Sequence, residues 1–157
     1  MTKTLIRHAV SADFETLLQI DEASFPGGVA YDTGELAYFM NRDGAETIVA
    51  EVNHTIVAFL IVEVHRPHRT ATLVTLDVCE NERRNGHGSQ LLKRCEEILS
   101  TYGVETYELQ VDVTNHAAIH FYKTHGFTLV HTLRNYYVNG HDAHLMAKEL
   151  DLGSTHK

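Results

Sequence analysis

A chain of 157 residues is the size of one ordinary domain, and with 43% hydrophobic residues it buries a core without disulfide or metal staples. The formal net charge of −8 excludes a general affinity for nucleic acid or anionic lipid, which attract basic surfaces, and favours a cationic substrate instead. No segment approaches the roughly 20 apolar residues of a membrane span, and Met1 to His8 lack the apolar stretch of a signal peptide, so the expectation is one cytoplasmic domain over residues 1–157.

Along the chain, a short strand over Lys3 to Arg7 leads into a helix opened by Ser11, with Phe14, Leu17, Leu18 and Ile20 on its apolar stripe and Pro26-Gly27-Gly28 as its stop. Asp32 and Glu35 have capping-box spacing for a second helix carrying Leu36, Phe39 and Met40, which Asn41 to Gly44 closes. A flexible entrance between these two helices is expected. Glu46 to Val52 and Thr55 to Val64 are rich in β-branched residues and flank Asn53-His54, a tight hairpin, and Arg66-Pro67-His68 turns the chain into a third long strand ending at Val78.

Next comes Arg83-Arg84-Asn85-Gly86-His87-Gly88, preceded by that strand and followed by Ser89-Gln90-Leu91-Leu92. This is strand, glycine-pinched loop and helix. Two glycines remove the Cβ atoms that keep a ligand off the backbone, so amide N–H groups converge on an anion at a helix N-terminus; a phosphate-bearing ligand is expected there. Leu91, Leu92, Cys95, Ile98 and Leu99 give the helix its buried face, and Gly103 stops it. Tyr107, Leu109, Val111 and Val113 alternate with Glu108, Gln110 and Asp112, a strand with one polar face. Asn115 caps a short helix through Tyr122 to His125, stopped by Gly126, and Phe127 to Leu133 with Ala143 to Leu150 form a terminal hairpin. The class is mixed α/β with a largely antiparallel sheet.

Cys79 and Cys95 are expected to be reduced thiols. Twelve histidines call for a metal check, but the pairs His65/His68, His116/His120 and His141/His144 have no third and fourth ligand at a telling distance, so no metal is expected.

These residues resemble the GNAT superfamily of acetyl-CoA-dependent N-acetyltransferases over nearly the whole chain. The superfamily's acetyl-CoA motif, Arg or Gln followed by x-x-Gly-x-Gly or Ala, matches Arg83, Gly86 and Gly88; its second signature matches the run from Asn115 through Tyr122 to Gly126-Phe127. Phe25-Pro26, Leu109-Gln110-Val111 and Arg134-Asn135-Tyr136-Tyr137 look like the bacterial ribosomal-protein alanine N-acetyltransferases and related protein N-terminal acetyltransferases. The resemblance implies a six- to seven-stranded, largely antiparallel sheet flanked by about four helices, in a monomer or homodimer with no nucleic-acid or membrane partner. Acetyl-CoA is the implied co-substrate. Leu76, Asp77 and Val78 would run beside its pantetheine arm, Arg84 to Ser89 (with Asn85 and His87) would wrap its diphosphate beside Arg83, and Asn115 and Tyr122 would contact it.

Acetyl transfer needs a neutral amine, a donor to the oxyanion and a proton for the departing thiolate. The resemblance assigns the oxyanion to the backbone N–H of Val78 and the proton to Tyr122, whose phenol at an ordinary pKa of about 10 stays protonated at neutral pH. The base departs from the pattern: Gln110 stands where the bacterial alanine enzymes carry Glu and another N-terminal acetyltransferase carries His, and Thr72 stands where other relatives keep Glu or Tyr. Glu108, one pleat from Gln110 on the same face, is the remaining candidate, acting through a water. An α-amine near pKa 7.8 is neutral far more often than a lysine near 10.4, a gap of about 3.5 kcal/mol, so a site without a strong base favours α-amines. Phe25, Tyr31, Gln110, Tyr136 and Tyr137 are the expected acceptor residues, in a groove between the entrance loop and the late hairpin. The acceptor implied is a protein N-terminus, such as that of a ribosomal protein. A small amine or amino acid, or an acyl-CoA-binding module without turnover, are the alternatives.

Overall fold

The computed structural model describes residues 3–25 and 30–150. Seven strands run in the order β1 (Thr4–His8), β2 (Ala45–Val52), β3 (Thr55–His65), β4 (Thr70–Val78), β5 (Thr106–Asp112), β7 (Ala143–Glu149) and β6 (Thr128–Leu133). Four helices flank the sheet: α1 (Phe14–Ser24), α2 (Thr33–Asn41), α3 (His87–Thr101) and α4 (His116–Thr124). Every neighbouring strand pair is antiparallel except β4 and β5. The expected strand and helix numbers and the mainly antiparallel pairing are therefore present.

Local chemistry explains most elements. Asn53 and His54 both take positive φ, 53° and 64°, the left-handed pair whose twist suits a two-residue hairpin between β2 and β3. The capping box forms: Glu35 N–H donates to Asp32 Oδ1 at 2.8 Å and Asp32 N–H to Glu35 Oε1 at 3.0 Å. At α1 the expectation is corrected. Ser11 opens a 3-10 turn, and the side chain that accepts there is Asp13, whose Oδ2 takes the Val10 N–H at 2.8 Å while its carboxylate is gripped by Arg7. The proposed stop at Pro26-Gly27-Gly28 lies outside the described residues.

From Ile56 to Val62 β3 is buried on both faces, because helices cover the sheet on each side. Leu17, Leu18, Ile20 and Leu36 of α1 and α2 pack on Val49, Phe59 and Ile61, and Leu91, Leu92, Cys95 and Leu99 of α3 pack on Ala58, Leu60 and Val62. Cys79 and Cys95 are both free thiols. No helix among the described residues is long and apolar enough to cross a membrane.

Two features of β4 shape everything that follows. Ile61 pairs with Thr75 but Val62 with Leu73, so Val74 is the extra residue of a bulge. A bulge bends its strand and switches which residues face which side. Beyond it, Thr75 and Asp77 lie opposite Ile61 and Phe59, on the face covered by α1 and α2. On its other edge β4 pairs with β5 only at Thr70, Ala71 and Thr72, opposite Thr106, Tyr107 and Glu108. The two strands then part. The terminal hairpin completes the sheet through β7, which lies between β5 and β6.

Candidate active site

The parting strands make the walls of a cavity of about 580 Å³: Leu73 to Leu76 on β4 and Leu109 to Asp112 on β5. The end of α1, Tyr31, and the β6–β7 loop with Tyr136, Tyr137, Asn139 and His141 close it. A second cavity, of about 760 Å³, runs from Leu76–Val78 past the loop at Arg83 to Ser89 and along α4. The two share Ser24, Phe25, Leu76, Asn115, Ala118 and Tyr122, so they meet where β4 has lost its neighbour.

The second cavity fits a nucleotide diphosphate. The first α3 backbone bond runs from Gln90 N–H to Gly86 O, which leaves the N–H groups of His87, Gly88 and Ser89 without helical partners. Arg83 and Arg84 bring positive charge to this side, while Arg83 Nε also donates to Val78 O at 3.2 Å and ties the loop to the strand end. Glu82 accepts from Asn85 and contacts the buried His87 imidazole at 3.1 Å, so His87 offers its backbone rather than its ring. Ser89 Oγ is turned to His125 Nε2 at 2.9 Å, whose Nδ1 lies 2.8 Å from Phe121 O.

The two glycines have different jobs. Gly86 sits at φ +84°, where a Cβ would meet nothing within 4 Å but the backbone conformation disfavours any side chain. Gly88 is spared a Cβ because the Phe121 ring would lie 3.0 Å from it, so this glycine serves the packing of α3 on α4.

Cys79 N–H donates to Val57 O, and by the alternation of an antiparallel ladder the N–H of Val78 points the other way, toward the side β5 has vacated. Tyr122 lines both cavities, and its hydroxyl has no hydrogen-bond partner among the described residues. Burial pushes its phenol well above the ordinary range, a departure from the unshifted value taken from sequence. Asn115 Oδ1 accepts the Ala118 N–H at 3.2 Å, which makes it the helix cap, and it also lines both cavities.

On the first cavity's wall, Phe25, Tyr31, Gln110, Tyr136 and Tyr137 come together as expected residues. Tyr31 packs its ring on Phe39 at 4.9 Å, and Tyr136 meets Tyr137 at 5.0 Å. Glu108 does not line this cavity: it sits on the stretch of β5 still paired with Thr72 of β4.

Sequence reasoning gave no role to the side chains of Asp21 and Asp112, and named Asp77 only for its place beside the pantetheine arm. Asp21, fully buried on α1, accepts the Tyr31 N–H at 2.7 Å and pins the chain that follows α1; the only signal was a lone carboxylate within the stripe of Leu17, Leu18 and Ile20. Asp77 meets it from β4. Burial first, and the Asp21 contact second, raise the Asp77 carboxyl well above its ordinary range. Asp112 Oδ2 lies 2.8 Å from His141 Nδ1. Burial acts to raise Asp112, but hydrogen bonds from Thr114 and His141 outweigh it and hold the carboxyl below the ordinary range. His141, weighed from sequence only as a partner for His144, belongs with Asp112; His144 Nδ1 contacts Thr132 instead. No group of three potential metal ligands occurs among the described residues.

A model of the acetyltransferase (GNAT) family matches residues 14–127. The chain is 30% identical over 160 residues to an N-alpha-acetyltransferase of Sulfolobus acidocaldarius, covering 92% of each. It is 37% identical over 127 residues to the ribosomal protein bS18-alanine N-acetyltransferase of Salmonella typhimurium, covering 78% of this chain and 84% of that one. It is 28% identical over 163 residues to an L-amino acid N-acetyltransferase of Escherichia coli, covering 94% and 99%. The crystal structure of the ribosomal-protein-S18-alanine N-acetyltransferase of Escherichia coli superposes with a TM-score of 0.84 at 26% identity, covering 96% of both chains.

Proposed function

The chain belongs to the GNAT acetyltransferase family, an acetyl-CoA-using acyltransferase, and from that premise we propose that its acceptor is the N-terminal α-amine of a protein. The observation that carries this is the sorting of charge between the two cavities. Arg83 and Arg84 line the nucleotide side, with Asp77 and Glu82 beside them; Asp21, Asp112 and His141 line the other, where no Lys or Arg is present among the described residues. The four residues between Phe25 and Ala30, Pro26-Gly27-Gly28-Val29, add no charge.

A peptide N-terminus brings one positive end and then neutral amides, which suits that cavity. A free amino acid brings a carboxylate that finds no Lys or Arg there among the described residues. The Asp112 carboxylate on the cavity wall repels it as a like charge. Peptide over amino acid is therefore the preferred acceptor, despite the likeness to an amino acid acetyltransferase. A cationic small amine satisfies the same electrostatics and is the second reading.

In this proposal the backbone of Leu76 to Val78 and the loop from Arg83 to Ser89 hold acetyl-CoA, which supplies the activated acetyl group. The N–H of Val78 receives the oxyanion, and Tyr122 protonates the sulfur. Phe25, Tyr31, Tyr136 and Tyr137 hold the peptide. The support is the meeting of both cavities at Tyr122 and Asn115.

Release of free CoA, measured with Ala-, Ser- and Met-initiated peptides, α-blocked lysine peptides, free amino acids and polyamines, tests it. Unblocked peptides should turn over fastest. Faster acetylation of internal lysine or free amino acid would overturn the acceptor assignment, and acetyl-CoA binding without CoA release from any amine would leave a binding module.

A further inference from the structure

Gln110 leaves the acceptor cavity without a base at the strand position where one is expected, and Glu108 lies outside that cavity. Of the titratable groups that do line it, Tyr31, Tyr122 and Tyr137 are held protonated by burial. Asp21 is fully enclosed, with Oδ2 committed to the Tyr31 N–H and its other oxygen turned to Asp77. His141 differs from all of these. Its side chain is 45% exposed and lines the cavity, and Nδ1 is bound to Asp112 Oδ2 at 2.8 Å.

That bond decides the tautomer. A carboxylate only accepts, so Nδ1 must carry the hydrogen and Nε2 must present a lone pair. The Asn139 amide nitrogen lies farther from Nδ1, at 3.3 Å, and Asn139 Oδ1 accepts the His141 backbone N–H at 2.9 Å, which fixes the loop beneath the ring. Asp112 is itself fixed, because its Oδ1 accepts both the N–H and the hydroxyl of Thr114. The remaining groups around the ring are Tyr136 and Tyr137 on its own loop, the adjacent Asp142, and Asp21, Tyr31 and Tyr122 across the cavity; Asp142 Oδ1 is occupied by the Asn135 N–H.

Resting on the acetyl-transfer reading above, we propose that His141 is the proton acceptor for the incoming amine and that Asp112 is its positioning residue. His141 Nε2 takes one proton from the acceptor ammonium, directly or through one water, and the imidazolium stays paired with Asp112. The nitrogen lone pair so freed forms the C–N bond as the C–S bond breaks. Tyr122 gives its proton to the sulfur and regains the second proton of the nitrogen, and His141 returns the first to solvent. One ammonium and one thioester yield one amide, one thiol and one proton.

The first test is the pH dependence of kcat/KM for an unblocked peptide in the wild type and in His141→Gln. A loss of about a hundredfold or more near pH 7 is expected, in the usual range for a positioned base, together with loss of the acidic limb of the profile; added imidazole should partly restore His141→Ala. The second test needs no turnover: the ¹⁵N shifts of the His141 ring in the free protein. These should report the Nδ1–H tautomer in the wild type, and a shift toward Nε2–H in Asp112→Asn, whose Oδ1 keeps the Thr114 bonds while its amide donates to the ring. An unchanged rate and profile in His141→Gln, or an Nε2–H tautomer in the wild type, would overturn the proposal. A wild type that acetylates no amine overturns the acetyl-transfer reading and takes this inference with it; a wild type whose turnover ignores His141 overturns this inference alone.

Discussion

The carboxyl groups of Asp21 and Asp77 meet inside the protein, 0% and 2% exposed. Asp77 Oδ1 takes the Thr75 hydroxyl at 2.6 Å, Asp21 Oδ2 takes the Tyr31 N–H, and the two remaining oxygens have no other donor among the described residues. Two bare carboxylates at that distance repel, so the contact holds only with a proton between them. It joins α1 to the bulged part of β4, and with Tyr31 it anchors the chain that forms the acceptor side of the cavity.

This pair makes stability depend on pH. The folded Asp77 carboxyl has a raised pKa, so between the ordinary carboxylate range and that raised value the folded protein holds a proton that the unfolded chain has lost. Stability from this group is full below the ordinary range and falls as pH rises through the window. Asp77→Asn places an N–H donor where the shared proton sits. Urea denaturation should show the variant gaining on the wild type by about 1–3 kcal/mol from pH 5 to pH 8. Parallel pH dependences in the two proteins would refute the shared proton.

Tyr122→Phe should lower kcat by about one to three orders of magnitude while leaving acetyl-CoA affinity within a few fold, because the hydroxyl has no hydrogen-bond partner to lose among the described residues. Since burial lifts the phenol well above its usual range, the wild-type kcat/KM profile should show no alkaline decline from Tyr122 up to about pH 10. A normal kcat in the variant would remove Tyr122 from the chemistry.

The two loop glycines should separate in a rescue experiment. Gly88→Ala places a methyl 3.0 Å from the Phe121 ring, which must give by a few tenths of an ångström, whereas Gly86→Ala strains the backbone by about 1–2 kcal/mol without touching a neighbour. Phe121→Leu makes room and should restore acetyl-CoA affinity to Gly88→Ala, measured by calorimetry, but not to Gly86→Ala. Equal rescue of both would show that packing is not what Gly88 provides.

Asn115 combines a cap and a cavity position. Asn115→Ala should cost about 0.5–2 kcal/mol in stability, and Asn115→Ser should recover most of it, since a serine hydroxyl also caps. If Asn115 also contacts the substrates, the serine variant keeps the stability and still loses in kcat/KM. Recovery of both together would assign Asn115 to the cap alone.

Much of this architecture is written locally. Asn53-His54 specify a hairpin, Asp32 and Glu35 a capping box, Gly86 a left-handed step into a helix, and Asn115 a cap, because each signal acts within a few residues of backbone. The alternation of β5 likewise announces its polar face, and with it the line of Glu108, Gln110 and Asp112. What lay beyond reach depends on partners distant in sequence. Insertion of β7 between β5 and β6, and the parting of β4 from β5 after Thr72, follow from sheet pairing that no short window encodes.

The bulge at Val74 turns Asp77 toward α1, where it meets a residue 56 positions earlier, and the loop carrying His141 crosses to Asp112, 29 positions away. Residue types and local conformation were thus determined by the sequence itself. Which carboxylate shares a proton, which one orients an imidazole and which glutamate is left outside the cavity were decided only by tertiary structure, since desolvation and hydrogen bonding are properties of the neighbours a side chain acquires on folding.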